Sequence, residues 1–353
     1  MPCAAHNVQL VIKDGLKLND EYNNLINRVS KDIVSKSKFS TIIAEELRTF
    51  NKKLSKKNIT RWNSILFMIR SVLKLTPVEF ASIKSKLPTT TKAQKETKKN
   101  FSLNIEREML KELRKVLEMF EFVTDEIQGD GVTISKVYPC INFLKTSLTK
   151  DLSSSKYTHK VQKDLLSSLQ IRFKDVEENE NYVVSAFLDS NFGIDVFEEN
   201  RRSYVKTKLR NLMQLEALKH QAKTASSVST TSDLMSVTKN SHPIVSKRNE
   251  NFIFYRSETS SIEVDDFDRE IDEYIRTVKS STFTCPLLFW KNYHSKLPNL
   301  AKLAQKYLGV PASSGATERM FSISGHIFNS KRRRMGAKIF SELVYLKLNE
   351  DLF

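Results

Sequence analysis

The side chains of this chain that can do chemistry fall in four places. Glu318 lies in Pro311-Ala312-Ser313-Ser314-Gly315-Ala316-Thr317-Glu318-Arg319-Met320-Phe321-Ser322-Ile323-Ser324-Gly325. A carboxylate can hold a divalent cation, but two-metal phosphoryl transfer keeps its ions ~3.5–4 Å apart and needs several carboxylates to do so. Glu318 alone does not supply that set. Cys3 and His6 are three residues apart and would share one face of a helix. Zinc needs two further ligands at matching spacing and none lies nearby, so the pair reads as a zinc motif or as packing beside a hydrogen-bonding His. Arg61-Trp62 precedes an apolar stretch, where the indole either packs beneath the helix or projects outward. Lys331-Arg332-Arg333-Arg334 is a phosphate-contacting patch, a nuclear import signal or a solvated loop.

Helices must hold these groups. After Pro311 and two serines, Ala316, Met320, Ile323 and Ile327 fall on one stripe at about 100° per residue. Glu318 lies opposite that stripe, Ser322 and Gly325 lie close to it, and Phe321 and Phe328 flank it. The stripe is expected to be buried. A last helix carries Ile339, Phe340, Leu343 and Val344. Its apolar surface either closes the chain's own core or pairs with a second copy about a two-fold axis.

Upstream, periodicity predicts helix within residues 20–50, where Leu25, Ile26, Val29, Ile33 and Val34 share a face. Another runs from Ile65 to Leu73, with Thr60 as a plausible N-cap. A strong helix spans Leu103 to Val123 and is ended by Gly129-Asp130-Gly131, which admits backbone with positive φ. Further helices are predicted over Ile134 to Leu148, Val161 to Phe173, Phe197 to Leu218, from Asp265 through Val278, and, opened by Pro298, around Leu300. Val183 to Phe192 is short and apolar. Residues 88–99 read as a loop. Residues 222–262 are rich in Ser, Thr and Lys and read as a linker interrupted by the apolar island Phe252 to Tyr255. The lysine clusters Lys52-Lys53 and Lys56-Lys57 read as solvated faces. At most a few short strands are expected, near the two ends.

The composition limits the function classes. The 57 Lys and Arg residues exceed the 41 Asp and Glu by 16, a balance that favours a polyanionic partner such as nucleic acid. Only 8 Gly and 8 Pro argue for helix over a turn-rich β sandwich. Three cysteines, Cys3, Cys140 and Cys285, make neither a disulfide framework nor a four-cysteine zinc site and read as reduced thiols of an intracellular protein. No stretch approaches the ~18 apolar residues of a membrane span, so neither a membrane nor a secretory route is expected.

Four stretches in order resemble the hAT-superfamily transposases and host proteins derived from them. They are Pro2-Cys3-Ala4-Ala5-His6 with its apolar helix, Thr60-Arg61-Trp62-Asn63-Ser64, Ala186-Phe187-Leu188-Asp189-Ser190-Asn191-Phe192, and the block from Phe289-Trp290 through Thr317-Glu318-Arg319 to the final helix. That block is similar to the hAT C-terminal dimerisation region. The resemblance implies a mainly α chain: a large helical insertion beside the C-terminal part of an incomplete ribonuclease-H-like core. Its implied divisions are residues 1–15 for the end of the first half-core, 16–221 for the helical insertion and 222–262 for the linker. Residues 263–353 would then be the dimerisation region with the last core helices.

In the family, two Asp and one Glu form the active site. The resemblance maps the Glu onto Glu318, with Thr317 where the family has Ser. It maps the Cys-x-x-His motif onto Cys3 and His6, and the Arg-Trp motif onto Arg61 and Trp62. That Trp is linked in the family with a flipped base or hairpinned DNA end, for which an indole face is a suitable stacking surface. The family's two Asp and its zinc-binding BED finger precede Cys-x-x-His, and here two residues do. Asp14, Asp20 and Asp32 follow the motif and do not take those roles. The implied protein is therefore a transposase-derived fragment acting in homodimerisation and DNA association, with Glu318 a remnant metal-binding carboxylate. It would hold no cofactor as given and a divalent metal such as Mg only with an upstream half. The remaining expectations are DNA contact through Arg61, Trp62 and Lys331 to Arg334, dimerisation through Ile339, Phe340, Leu343 and Val344, nuclear residence, and no small-molecule substrate. Two alternatives stand beside it: a mis-started piece of an active hAT DNA transposase, and a domesticated DNA- or chromatin-binding regulator.

Overall fold

The computed structural model describes residues 3–58, 62–86, 103–150, 155–227, 260–280, 285–328 and 335–350. The expected loop at 88–99, the Thr60 cap, Arg61, the Phe252 to Tyr255 island and the run Lys331 to Arg334 lie outside the described residues. Among the described residues there is no strand, within the expectation of at most a few short ones near the ends. Apolar residues there recur at three and four, and that period buries one stripe of a helix rather than one face of a sheet. The chain divides into two compact units, residues 1–179 with 311–353, and residues 180–310.

In the first unit, α1 (Ala4–Leu18) buries Ala4, Ala5, Val8, Val11, Ile12, Gly15 and Leu16. Three and four residues separate most of these, so they form one broad face. That face meets α9 (His159–Arg172) at close range. A Cβ added to Gly15 would lie 2.6 and 2.8 Å from side-chain atoms of Leu165 and 3.1 Å from its amide nitrogen. Glycine is what permits this crossing. Asp14, on the same helix, accepts from Arg172 Nε at 2.9 Å and from Ser168 Oγ at 3.3 Å, so its carboxylate is occupied in holding α1 to α9.

Next come α2 (Asp20–Arg28), a π-helical segment (Val29–Ser35), α3 (Lys36–Phe39) and α4 (Thr41–Thr49). The buried Leu25, Ile26, Val29, Ile33 and Val34 confirm the shared face predicted for this stretch. Helix α5 (Asn63–Leu73) starts with Trp62 at its cap position, without a side-chain cap. It packs, after α6 (Pro77–Lys86), on α7 (Leu103–Gln128). As the two flanking glycines suggested, α7 stops at Gln128 and Gly131 takes φ +81°, in the left-handed region that glycine enters freely. Helix α8 (Ile134–Lys150) then fills the space between α7 and α9.

The second unit is built around α10 (Glu180–Leu188), in which every residue from Tyr182 to Leu188 is buried. Helix ends leave carbonyls without intrahelical partners. Here Tyr274 Oη donates to the Phe187 carbonyl at 2.7 Å and Trp290 Nε1 donates to the Leu188 carbonyl at 2.8 Å. Asp189, buried, accepts from the Asn191 amide at 2.9 Å and turns the chain. Burial, then the charge of Asp189, raises the Tyr274 hydroxyl well above the ordinary tyrosine range, which keeps it a donor. Helices α11 (Glu199–Ser227), α12 (Ser260–Ser280), α13 (Pro286–Tyr293) and α14 (Pro298–Leu308) surround α10. Arg210 Nε to Asp268 at 2.8 Å ties α11 to α12. Glu270 caps α14 by accepting from the Leu300 amide at 2.8 Å, beside the predicted Pro298 start.

Candidate functional site

The segment before Glu318 is pinned at a single residue. Ala312, buried, accepts from the Ala4 amide at 3.0 Å and donates its own amide to Thr133 Oγ1 at 3.1 Å. This fixes the N-terminus of α15 (Gly315–Ile327) beside the start of α1. Arg319 holds the helix to the end of α7, donating to the Gln128 carbonyl at 3.0 Å and pairing with Asp130 at 2.8 Å. The residue after Glu318 is thus an anchor. Glu318 falls in the first turn of α15, where the helix dipole favours negative charge.

Ser314 Oγ lies 2.7 Å from Glu318 Oε1 and 3.6 Å from Cys3 Sγ. A hydroxyl has one proton, and the carboxylate is the stronger acceptor, so Ser314 donates to Glu318 and the Cys3 thiol can donate back to the hydroxyl oxygen. Two of the motif positions named from sequence, Cys3 and Glu318, are therefore joined through one serine. His6 is exposed on α1 and takes no part in that link.

A cavity of about 730 Å³ opens over this point, lined by residues that include Gln9, Trp62, Asn63, Gln128, Glu318 and Ser322. Trp62 and Glu318, distant in sequence, share its wall, and Ser322 lies beside Glu318 as the helical spacing required. Trp62 is only 8 % exposed, so it offers little open ring for a stacked base. Asn63 is the residue that the sequence reading did not single out. Its Oδ1 is buried without a hydrogen-bond partner among the described residues, an arrangement that costs about 1–3 kcal/mol unless a donor arrives. The signal that could have found it is its place directly after Arg61-Trp62.

These residues do not by themselves fit a two-metal site. Among the described residues that line the cavity Glu318 is the one carboxylate, and no group of three or more His, Cys, Asp or Glu in the described residues converges on a point. Asp14 is engaged by Arg172.

The apolar stripe of α15 departs from expectation. Ala316 is exposed, Met320 is 36 % exposed, and Ile323 and Ile327 are half-buried. Among the described residues the substantial helix packing of α15 is with α16 (Ala337–Leu348), and two helices cover little of each other. Phe328 and Phe340 close this hairpin. Of the four residues predicted for dimerisation, Ile339 is exposed while Phe340, Leu343 and Val344 are half-buried. Phe321, Phe328, Tyr345, Leu346 and Leu348 extend the exposed apolar surface.

The family model for the hAT family C-terminal dimerisation region matches residues 269–350. Over nearly its whole length the chain also aligns with two curated proteins. The chain is similar to hAT-type proteins. Zinc finger BED domain-containing protein 4 of Homo sapiens is 19 % identical over 363 residues, covering 99 % of this chain. A Zea mays protein described as an AC transposase is 23 % identical over 373 residues, covering 98 %. The chain spans 29 % and 43 % of the length of these two relatives. A shorter likeness, 38 % over 74 residues, covers 21 % of this chain and 9 % of a Talaromyces stipitatus protein described as a transcriptional regulator, tpeD. The matched residues include the Trp290 indole that caps α10, the Ser314–Glu318 contact and the exposed α15–α16 hairpin. No helix among the described residues is long and apolar enough to cross a membrane.

Proposed function

We propose that this chain acts in the nucleus as a self-associating, DNA-contacting protein, with the α15–α16 hairpin as its association surface. The observation that carries the reading is the exposed apolar surface of α15 and α16 inside the dimerisation region. Exposed contiguous apolar surface of this kind on a folded chain marks a partner site, and a self-complementary patch closes as a two-fold dimer. The formal charge of +16 supports contact with DNA. The cavity around Glu318 supports a place for an unpaired nucleotide, with Asn63 Oδ1 accepting from a base amine and Trp62 as an apolar wall.

The same reading assigns Glu318 to a descendant of a metal-binding carboxylate in the C-terminal part of a ribonuclease-H-like core. With one carboxylate in the cavity, strand cleavage would need further carboxylates. Light scattering of the purified chain tests self-association, and fluorescence polarisation with labelled duplex DNA tests DNA contact. A monomer at micromolar concentration would remove the first element. Absence of binding at low salt would remove the second.

A further inference from the structure

Glu21, Asn24, Asn27, Arg28 and Lys31 line a notch of about 500 Å³ on the first unit. Lys57 reaches it from the next segment, with Nζ 3.4 Å from Asn27 Oδ1. The lysine spacing predicts a solvated face for Lys56-Lys57, yet Lys57 is half-buried. Burial first, and the charge of Lys31 second, pull its ammonium below the ordinary lysine range. Among the described residues no ion pair joins Lys31 or Lys57 to a carboxylate. Arg28 is held by Glu106 at 2.6 Å, which sets the guanidinium in place beside them.

Two ammonium groups brought together while one loses water is an arrangement that costs free energy until an anion stands between them. The backbone that presents Lys31 is unusual as well. Val29–Ser35 is π-helical, a rare conformation that occurs frequently at functional sites. The chain keeps both features next to two amide side chains that can donate to oxygen. A phosphate, compact and multiply accepting, fits three cations and two amides better than a single carboxylate would. The net charge of the chain points to nucleic acid as its source.

We infer that this notch seats a phosphate of a DNA backbone, contacted by Lys31 and Lys57, with Arg28 beside them and the amides of Asn24 and Asn27 as further donors. The inference rests on the DNA-association reading above and adds a contact region that shares no lining residue with the Glu318 cavity. Phosphate contacts position a protein on DNA without reading its sequence. Glu21, at the rim, opposes the phosphate.

The test uses the full chain and two labelled duplexes of unrelated sequence, titrated by fluorescence polarisation across a salt series. The wild type should show a steep log–log salt dependence. Lys31→Gln and Lys57→Gln should each flatten the slope by about 1 on both duplexes. Glu21→Gln should tighten binding, and Lys57→Gln should unfold at the same or a higher temperature because a repulsion is removed. Wild-type slopes in Lys31→Gln and in a variant carrying both Lys31→Gln and Lys57→Gln, a loss confined to one duplex, or weaker binding by Glu21→Gln would overturn the inference while leaving DNA association standing. If the wild type binds neither duplex at low salt, both fall together. Should Lys57→Gln fail to fold, Lys31→Gln, at an exposed position, still decides.

Discussion

Phe328 and Phe340 meet edge to face, with ring centroids 5.8 Å apart and planes at 74°. This contact pairs the end of α15 with the start of α16. Ile323, Ile327, Leu343 and Val344 on the same two helices are half-buried. What this pairing leaves out, from Phe321 at 67 % exposed to Ile339 at 56 %, is surface that water covers in a single chain. The association proposed for the chain follows from that imbalance.

The crossing of α1 and α9 predicts a strong effect at a position with no chemistry. Gly15→Val places carbon within 3 Å of Leu165, and overpacking of this kind costs about 1–3 kcal/mol. The gain in helix propensity over glycine is under about 1 kcal/mol. Urea unfolding should therefore show a lower midpoint for Gly15→Val, with m unchanged.

The carbonyls at the end of α10 predict a second loss. Tyr274→Phe keeps the ring but removes the proton donated to Phe187, leaving a buried acceptor unsatisfied. The expected cost is about 1–3 kcal/mol. Trp290→Phe removes the donor to Leu188 and some packing volume, so its cost should be at least as large. Because both donors serve the same helix end, the double variant should fall short of or exceed the sum of the singles, which a double-mutant cycle would measure.

Glu106 predicts a pH dependence. It is 6 % exposed, its Oε2 has no hydrogen-bond partner among the described residues, and burial raises its carboxyl pKa despite Arg28 and Lys84. A carboxyl raised in the folded state binds its proton more tightly there than in the unfolded chain. Its contribution is fully present below the unfolded value of about 4.3 and is lost as pH rises through the folded value. Glu106→Gln should therefore be more stable than the wild type at pH 7, with the gap closing toward pH 4. Glu216 has the opposite sign. Hydrogen bonds from Lys306 and Lys219 hold it at about 2, so its contribution is present above the unfolded value and lost as pH falls toward that figure. Thermal melts across pH read both.

Much of the helical plan was legible because the rule behind it is local. Leu110, Leu113, Val116, Leu117 and Phe120 recur at three and four, and all are buried on α7. Gly131 marked its turn through a backbone angle that other residues avoid. The Glu318 stripe was misread for a non-local reason. Periodicity says which residues would share a face, and a second layer decides whether that face meets protein or water. The motif Ala186 to Phe192 stood out as apolar, yet its dependence on Tyr274 and Trp290 rests on contacts across 87 and 102 residues. Asn63 was not singled out and Lys57 was placed on a solvated face because an orphaned oxygen and a half-buried ammonium are properties of surroundings.

The central claim, self-association through the α15–α16 hairpin, is tested most directly by size-exclusion chromatography with light scattering at micromolar concentration. The wild type should give twice the 40.7 kDa chain mass, and Ile339→Asp with Leu346→Asp should give the single-chain mass with an unchanged helical spectrum. A wild type that runs as a monomer, or a double variant that stays dimeric, would contradict the account.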